Sequence, residues 1–334
     1  MRTAVTGAAG FIGSHLCGHL LDSGDEVLGI DAMTEYYDPR LKERNLARLR
    51  GRAGFTFVRG DLLALPLELL LASADVVYHL AGEPGVRTSW GPQFDVYLRR
   101  NVLATQRLLE AARSSPPHKI VYASSSSVYG NAEHYPTPET VRPQPVSPYG
   151  VSKLAGEHLC ELYRTAFAVP TASLRLFSVY GPRQRPDMAF ARLIEAARTG
   201  AAFPLYGDGR QTRDFTFVQD VTTAMRQAAL SSWTGVANVG GGEQVSMRQV
   251  LALVGEFVGP VRIASLPAPP GDARHTGADT TVARDAFGYR PRTGIRAGLA
   301  AMVEDAVAED ALLGTRTGAT APPSAAPAGT RVAR

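Results

Sequence analysis

Lysine is nearly absent: the 334 residues hold only Lys42, Lys119 and Lys153, against 32 arginines. Any step that needs an ammonium group has three candidates. Cysteine is rarer still. Cys17 and Cys160 have no CxxC partner and no histidine at a metal-ligand spacing, which excludes a disulfide scaffold and a zinc site and reads as free thiols in a reducing compartment. No run of 18 apolar residues occurs, so no membrane partner is expected, and the N-terminus enters a strand-like segment at once instead of a signal sequence. A cytoplasmic protein is expected. Charge lacks blocks as well: 35 Lys+Arg against 31 Asp+Glu leave a net +4, with no run of five like charges and no basic–aromatic interleaving. That argues against nucleic acid, while a small positive excess suits an anionic small substrate.

What remains is an ordinary globular mix, 45% hydrophobic and 20% charged, enough for a sizeable core. Strand-length apolar runs at Arg2–Thr6, Glu26–Ile30, Phe55–Arg59, Asp75–His79 and Lys119–Ala123 alternate with helix-length segments at Phe11–Leu21, Leu41–Leu49 and Pro92–Arg113. Tyr149–Phe167 is a further helix and Thr171–Leu176 a further strand. This alternation predicts an α/β fold with a doubly wound parallel sheet. Beyond Gly181 the strands shorten and Pro and Gly thicken, which predicts a smaller mixed α/β lobe that shapes a substrate pocket. The expected division is 1–176 with 215–240 for the sheet domain, 177–214 with 241–313 for the lobe, and 314–334 as a disordered tail rich in Ala, Thr, Pro and Gly.

The string Thr6-Gly7-Ala8-Ala9-Gly10-Phe11-Ile12-Gly13 follows the first strand and opens the first helix. A pyrophosphate can approach backbone N–H groups there only if no Cβ stands in the way, so Gly7, Gly10 and Gly13, with Phe11 and Ile12, mark a dinucleotide site. Asp31, 18 residues after Gly13, ends the second strand. A carboxylate there accepts from the adenosine ribose and repels a 2′-phosphate, which selects NAD over NADP. Arg40, Lys42 and Arg44 come late for a 2′-phosphate clamp unless the loop folds back. Asp61, with Leu62 beside it, is placed to accept from the adenine amino group, and Leu80-Ala81-Gly82 after His79 forms a small-residue strand end. Each of these also fits a capping Asp or a packing turn.

Tyr149 and Lys153 stand four apart and share a helix face. An ammonium beside a phenol lowers the phenol's pKa toward working pH, making it a base for a hydroxyl proton. Ser124-Ser125-Ser126-Ser127 ends the fifth strand, at the sheet edge where α/β folds bind ligands, and can orient a sugar hydroxyl or a carboxylate.

Together TGAAGFIG, Asp31, HLAG, SSSSVYG, YGVSK and Arg213-Asp214-Phe215 resemble the extended short-chain dehydrogenase/reductase family of nucleotide-sugar enzymes, over about residues 1–313. The strings YYDPRLK at 36–42 and VYGPRQRPDM at 179–188 are most similar to UDP-glucuronate 4-epimerases. The resemblance implies a Rossmann-type fold, bound NAD with Asn101 among its contacts, a UDP-sugar substrate and a homodimer through the 92–113 and 149–167 helices. It implies oxidation at C4 with Tyr149 as base and Ser125 holding O4, rotation of the 4-keto sugar, and return of the hydride. Ala104 and Gly82 depart from the usual Gly and Ala. Dehydratases carry Asp-Glu where Ser126 and Ser127 stand, and uronate decarboxylases a Glu at Ser127, so both reactions are disfavoured.

The same resemblance suggests Ser125, Ser126, Ser127 and Ser178 as holders of a carboxylate, Arg185 as the arginine near the rotating sugar, and Leu205 and Tyr206 along the uridine. Arg213 matches the diphosphate clamp. Arg274 is a second candidate, with His275 as its alternative. Other readings left open are a UDP-glucose or dTDP-hexose 4-epimerase, a decarboxylase, and a non-catalytic NAD-binding regulator.

Overall fold

A computed structural model describes residues 1–267 and 275–317. The first half alternates strand and helix: β1 (Arg2–Thr6), α1 (Phe11–Asp22), β2 (Glu26–Asp31), α2 (Pro39–Ala47), β3 (Phe55–Arg59), α3 (Leu67–Leu71), β4 (Val76–His79), α4 (Phe94–Tyr97), α5 (Ala104–Ser114), β5 (Lys119–Ser125), α6 (Pro148–Phe167) and β6 (Thr171–Leu176). The second half has shorter strands: β7 (Val179–Tyr180), α7 (Ala189–Thr199), β8 (Ala202–Tyr206), β9 (Thr212–Asp214), β10 (Thr216–Phe217), α8 (Val218–Leu230), β11 (Gly235–Val239), β12 (Gln244–Ser246), α9 (Met247–Val258), β13 (Arg262–Leu266), α10 (Thr281–Phe287) and α11 (Ile295–Thr317).

Seven strands form one parallel sheet in the order β11-β6-β5-β4-β1-β2-β3. The chain leaves β1 toward β2 and β3 on one side, then crosses to β4 and onward on the other, so the switch point lies between β1 and β4. There the strand ends part and open a crevice. Successive residues serve opposite faces. Val5, Val76 and Val121 pack under α1, α8 and α10, while their neighbours Ala4, Val77 and Ile120 pack under α3, α5 and α6. Both faces are covered, which is why these strands read as unbroken apolar runs.

The predicted 92–113 helix is not one regular helix. A π-helical segment, Leu98–Leu103, joins α4 to α5 and widens the turn that carries Asn101. The 41–49 helix begins earlier, because the Asp38 carboxylate accepts from Arg40 N and Pro39 fits the first turn. A third core, with Phe190, Leu193, Phe203, Val250, Val254 and Leu299, holds the smaller lobe.

Two expected boundaries shift. α10 lies in the stretch assigned to the lobe, yet Ala283, Phe287 and Tyr289 join the sheet core with α1 and α8. Phe287 meets the Trp233 ring at 5.4 Å, and Tyr289 donates to the Gly240 carbonyl at 2.7 Å. The expected tail begins at 314, but α11 runs to Thr317; residues 318–334 lie outside the described residues. Among the described residues no helix is long and apolar enough to cross a membrane.

Candidate active site

A cavity of about 420 Å³ opens at the β1/β4 switch point. Its floor is the glycine turn. Gly10 is the N-cap of α1 and offers no capping side chain, and no acidic residue stands in the first turn. The N–H groups and positive end of the helix therefore face an anion without a competitor. Gly7 has φ +73°, and a Cβ there would lie 2.9 Å from Ala81 N. β1 and the 80–82 segment thus approach backbone to backbone, a contact only glycine allows.

The strand ends are tied by a chain of side chains behind this floor. Thr6 Oγ1 accepts from Leu80 N at 3.2 Å and Ala81 N at 3.1 Å, so its own proton goes to His79 Nδ1 at 2.8 Å. Thr105 donates to the Asn101 carbonyl at 2.6 Å and so receives His79 Nε2–H at 2.9 Å. Burial holds His79 neutral, its pKa pushed down to about 3, which makes this single tautomer persist. Asn101, buried, does not line the cavity. It acts from behind: its amide accepts from Glu83 N at 2.6 Å and donates to Glu83 O at 3.0 Å and Ser152 Oγ at 2.9 Å, joining the cavity wall to α6.

Asp31, at the end of β2, is buried and faces the cavity. Two backbone N–H groups hold it, Ala9 at 3.1 Å and Met33 at 2.7 Å. Asp61 lines the cavity too, and its carboxylate accepts from Leu63 N at 2.9 Å; it caps a turn and faces the site at once. Leu62, Leu80, Ala81 and Gly82 complete that wall.

The residues expected to react line the same cavity. Ser147 accepts from Gly150 N and Pro148 opens α6, which sets Tyr149 in the first turn with its ring in the cavity. Lys153 follows one turn on, 7% exposed. Ser125 Oγ accepts from Ser127 N at 3.1 Å, leaving its proton for the Tyr149 phenolic oxygen. Burial raises the Tyr149 pKa, and the Ser125 hydrogen bond and the Arg185 charge oppose it. Lys153 is pushed down to about 8 by burial, against the pull of Cys160 and Glu157. Ser126, Ser127, Ser178 and Arg185 line the same cavity. Arg185 Nε and Nη2 each reach Asp187 at 3.0 Å, and its guanidinium lies 5.7 Å from the Tyr36 ring centre.

A model of the NAD dependent epimerase/dehydratase family matches residues 3–240. The chain belongs to that family. It is 43% identical over 307 residues to YtcB of Bacillus subtilis, an uncharacterized UDP-glucose epimerase, across 90% of this chain and 96% of YtcB. The crystal structure of UDP-glucuronic acid 4-epimerase from Bacillus cereus with UDP-glucuronic acid and NAD superposes with a TM-score of 0.89 at 42% identity, covering 92% of this chain and all of that one. MoeE5 in complex with UDP-glucuronic acid and NAD gives 0.82 at 42% identity over 92% and 100% of the two chains, and it was also solved with UDP-glucose and NAD.

The cofactor of the family is NAD, and the residues fit it: an uncapped helix end behind three glycines for a pyrophosphate, and Asp31 for the ribose. Other members of the predicted set stand apart from the cavity lining. Leu205 is buried in β8, and Tyr206 beside it carries the Arg87 guanidinium over its ring at 4.3 Å. Arg213 on β9 donates to the Thr212 carbonyl at 2.9 Å. His275 bonds Thr212 Oγ1 at 2.8 Å. Arg274 lies outside the described residues.

Sequence reasoning missed Thr34, Tyr36, Glu83 and Arg100 and left Lys42 to a folded-back loop; all five are in the cavity wall. The 32–38 loop does fold back: Lys42 Nζ donates to Thr34 O at 2.9 Å and Oγ1 at 3.1 Å, and lies 4.0 Å from Asp31. Arg40 turns to Asp38 and Arg44 toward Glu309. The signal was present in the YYDPRLK string, which holds one of only three lysines.

Proposed function

We propose that the protein is an NAD-dependent isomerase that inverts C4 of a UDP-sugar, with UDP-glucuronate and UDP-galacturonate as its pair. The observation that carries the uronate reading is the cavity wall formed by Ser125, Ser126, Ser127, Ser178 and Arg185 beside Tyr149. A carboxylate finds hydroxyl donors there and the Arg185 guanidinium, which it would share with Asp187, the pairing that favours an anionic sugar.

In this reading Tyr149 removes the C4 hydroxyl proton, Ser125 orients O4, and the Lys153 ammonium lowers the proton affinity of Tyr149. NAD, when bound, takes the hydride from C4 and returns it after the sugar has turned. The 4-keto uronate is a β-keto acid, which loses CO₂ when its carboxylate bond stands perpendicular to the carbonyl plane. Ser126, Ser127, Ser178 and Arg185 hold that carboxylate away from the perpendicular. Leu205 and Tyr206 take the uridine, and Arg213 the diphosphate, whose two charges suit a guanidinium fork.

A UDP-glucose 4-epimerase is the second reading, favoured by the resemblance to YtcB. Incubation of the purified protein with UDP-glucuronate and separation of the C4 epimers decides between them. Formation of UDP-galacturonate is expected; turnover of UDP-glucose alone gives the second reading, and CO₂ with a UDP-pentose would mean decarboxylation. Tyr149→Phe is expected to abolish turnover while NAD stays bound.

A homodimer through the 92–113 stretch and α6 completes the proposal. Leu98 and Leu103 at the two ends of the π-helical segment, and Val151, Leu162 and Phe167 on α6, are exposed, a concentration of apolar surface that a monomer rarely leaves open. We assign the protein to the cytoplasm, where the buried free thiols Cys17 and Cys160 stay reduced.

A further inference from the structure

Below the cavity floor, charges bind together the two segments that carry the reacting groups. Glu157 on α6 and Arg175 on β6 are 3% and 4% exposed. Arg175 Nε reaches both Glu157 oxygens, at 3.0 and 3.2 Å, and Nη2 reaches Oε2 at 2.8 Å. Ser124, the first of the serine run, donates its hydroxyl to Glu157 Oε1. The Arg175 guanidinium stacks 4.7 Å from the ring centre of Tyr129, whose hydroxyl donates to Asn238 Oδ1 at 2.7 Å. The serine run, the VYG turn, α6, β6 and β11 therefore meet on one ion pair.

A pair at this depth gains little net stability, because desolvation cancels most of the attraction, and apolar side chains of equal volume would pack as well. Its charge has another use. Residues 153 and 157 are four apart, so the carboxylate lies on the Lys153 face of α6. The other titratable groups facing Lys153 are Tyr149 and Cys160 on α6, the Tyr122 ring at 4.4 Å from β5, and His79 from β4. Burial raises Cys160 to about 12 and Tyr122 well above its ordinary value, and it keeps His79 neutral, so none of these three supplies charge at neutral pH.

We propose that Glu157, anchored by Arg175, is a positioning residue that keeps Lys153 an ammonium at working pH and fixes the serine run through Ser124. Burial drives Lys153 toward the neutral amine, and Cys160 and Glu157 oppose it; of these two only the carboxylate is charged at neutral pH. Without the carboxylate the ammonium is lost at a lower pH, and Tyr149 loses the cation that makes it a base. The link to turnover rests on the 4-epimerase reading given above.

The test needs a readout that does not depend on that reading. With only three lysines, protein labelled with 13C at lysine Cε gives three signals, and a Lys153→Met variant assigns the third. In Glu157→Gln the Lys153 signal should titrate about one pH unit lower than in the wild type, as expected for loss of an opposite charge one helix turn away. The alkaline limb of kcat should move down by the same amount, with KM within about twofold, as befits a group that acts through Lys153 alone. Gln leaves Arg175 unpaired and can prevent folding, so Glu157→Leu with Arg175→Met serves as the second variant; it should shift both readouts in the same direction. An unmoved Lys153 titration in a folded variant, even with kcat lowered at all pH values, overturns the proposal. A wild type whose Lys153 titrates as described but which does not turn over UDP-glucuronate overturns the functional reading instead.

Discussion

Gly13→Ala should disturb the glycine turn itself more than a methyl at Gly10, before any cofactor is bound. A Cβ at Gly13 would overlap the Gly7 carbonyl oxygen and stand 2.8 Å from its carbon and 3.1 Å from Ala8 Cα, all of it backbone. Relief requires α1 to retreat from the turn by more than half an ångström. Overpacking of this kind costs about 1–3 kcal/mol of stability. The retreat also pulls the helix N–H groups from a pyrophosphate; loss of one hydrogen bond to a charged group, about 1.5–3 kcal/mol, means roughly 10- to 150-fold weaker NAD. Gly10→Ala is the control for stability alone, since within the protein its Cβ would meet only the Gly7 oxygen, at 3.1 Å; the same methyl stands where a pyrophosphate approaches and should weaken NAD as well. Gly7→Ala falls between them in overlap, but φ +73° adds strain of about 1 kcal/mol or more. The assay is NAD retained after gel filtration, together with thermal unfolding with and without added NAD. Gly13→Ala holding NAD as tightly as the wild type, or Gly10→Ala losing more thermal stability than Gly13→Ala in the absence of NAD, would refute the backbone-approach argument.

Asn101→Ala removes three buried hydrogen bonds and takes their partner from the Glu83 N–H and carbonyl, while the Ser152 hydroxyl keeps the Tyr149 carbonyl, so urea unfolding should show a loss of about 2–4 kcal/mol. Stability should fall on acidification: His79 and His15 are both held down to about 3 by burial, so below pH 6.5 the unfolded chain takes up protons that the folded one refuses. Asp214, raised to about 6 by burial, works the other way below that pH, leaving a net uptake of about one proton in thermal melts between pH 6.5 and 5; a Tm that rises over that range would contradict the assignment. Leu162→Glu, on the exposed apolar face of α6, should convert a dimer to a monomer in sedimentation velocity with NAD content unchanged.

The parts of the site that were legible are those encoded by short spacings. The glycine turn, Asp31 at a strand end, and Tyr149 with Lys153 four residues on each depend on one element or on two joined by a tight turn, so local periodicity places them. The parts that stayed hidden depend on distant segments. Tyr97, at the end of α4, shares its one hydroxyl proton between Pro84 O at 2.8 Å and Gly85 O at 3.0 Å and meets the Tyr149 ring edge-on at 6.3 Å, and α4 runs on into a π-helical segment that no apolar period announces. Arg185 was marked by its string, but its grip on Asp187 two residues later is a loop geometry that spacing leaves open. α10 was assigned to the lobe because it follows lobe strands in the chain; Phe287 and Trp233, 54 positions apart in sequence, decide otherwise.

The scarcity of lysine acquires a physical sense once its three positions are seen together. Lys42, Lys119 and Lys153 are 6%, 1% and 7% exposed, whereas guanidinium groups carry the surface pairs with Asp and Glu. Burial lowers the pKa of all three lysines. An arginine in such a place would stay charged whatever its surroundings, and its planar fork needs more acceptors than one carbonyl supplies. Lys119 meets the Trp233 carbonyl, and Lys42 the Thr34 carbonyl and hydroxyl beside Asp31: compact sites that a point donor fits. At Lys153 the same tunability becomes chemical, because a cation pushed down to about 8 can answer to its neighbours, and those that oppose its burial are Cys160, a neutral thiol at neutral pH, and the buried Glu157.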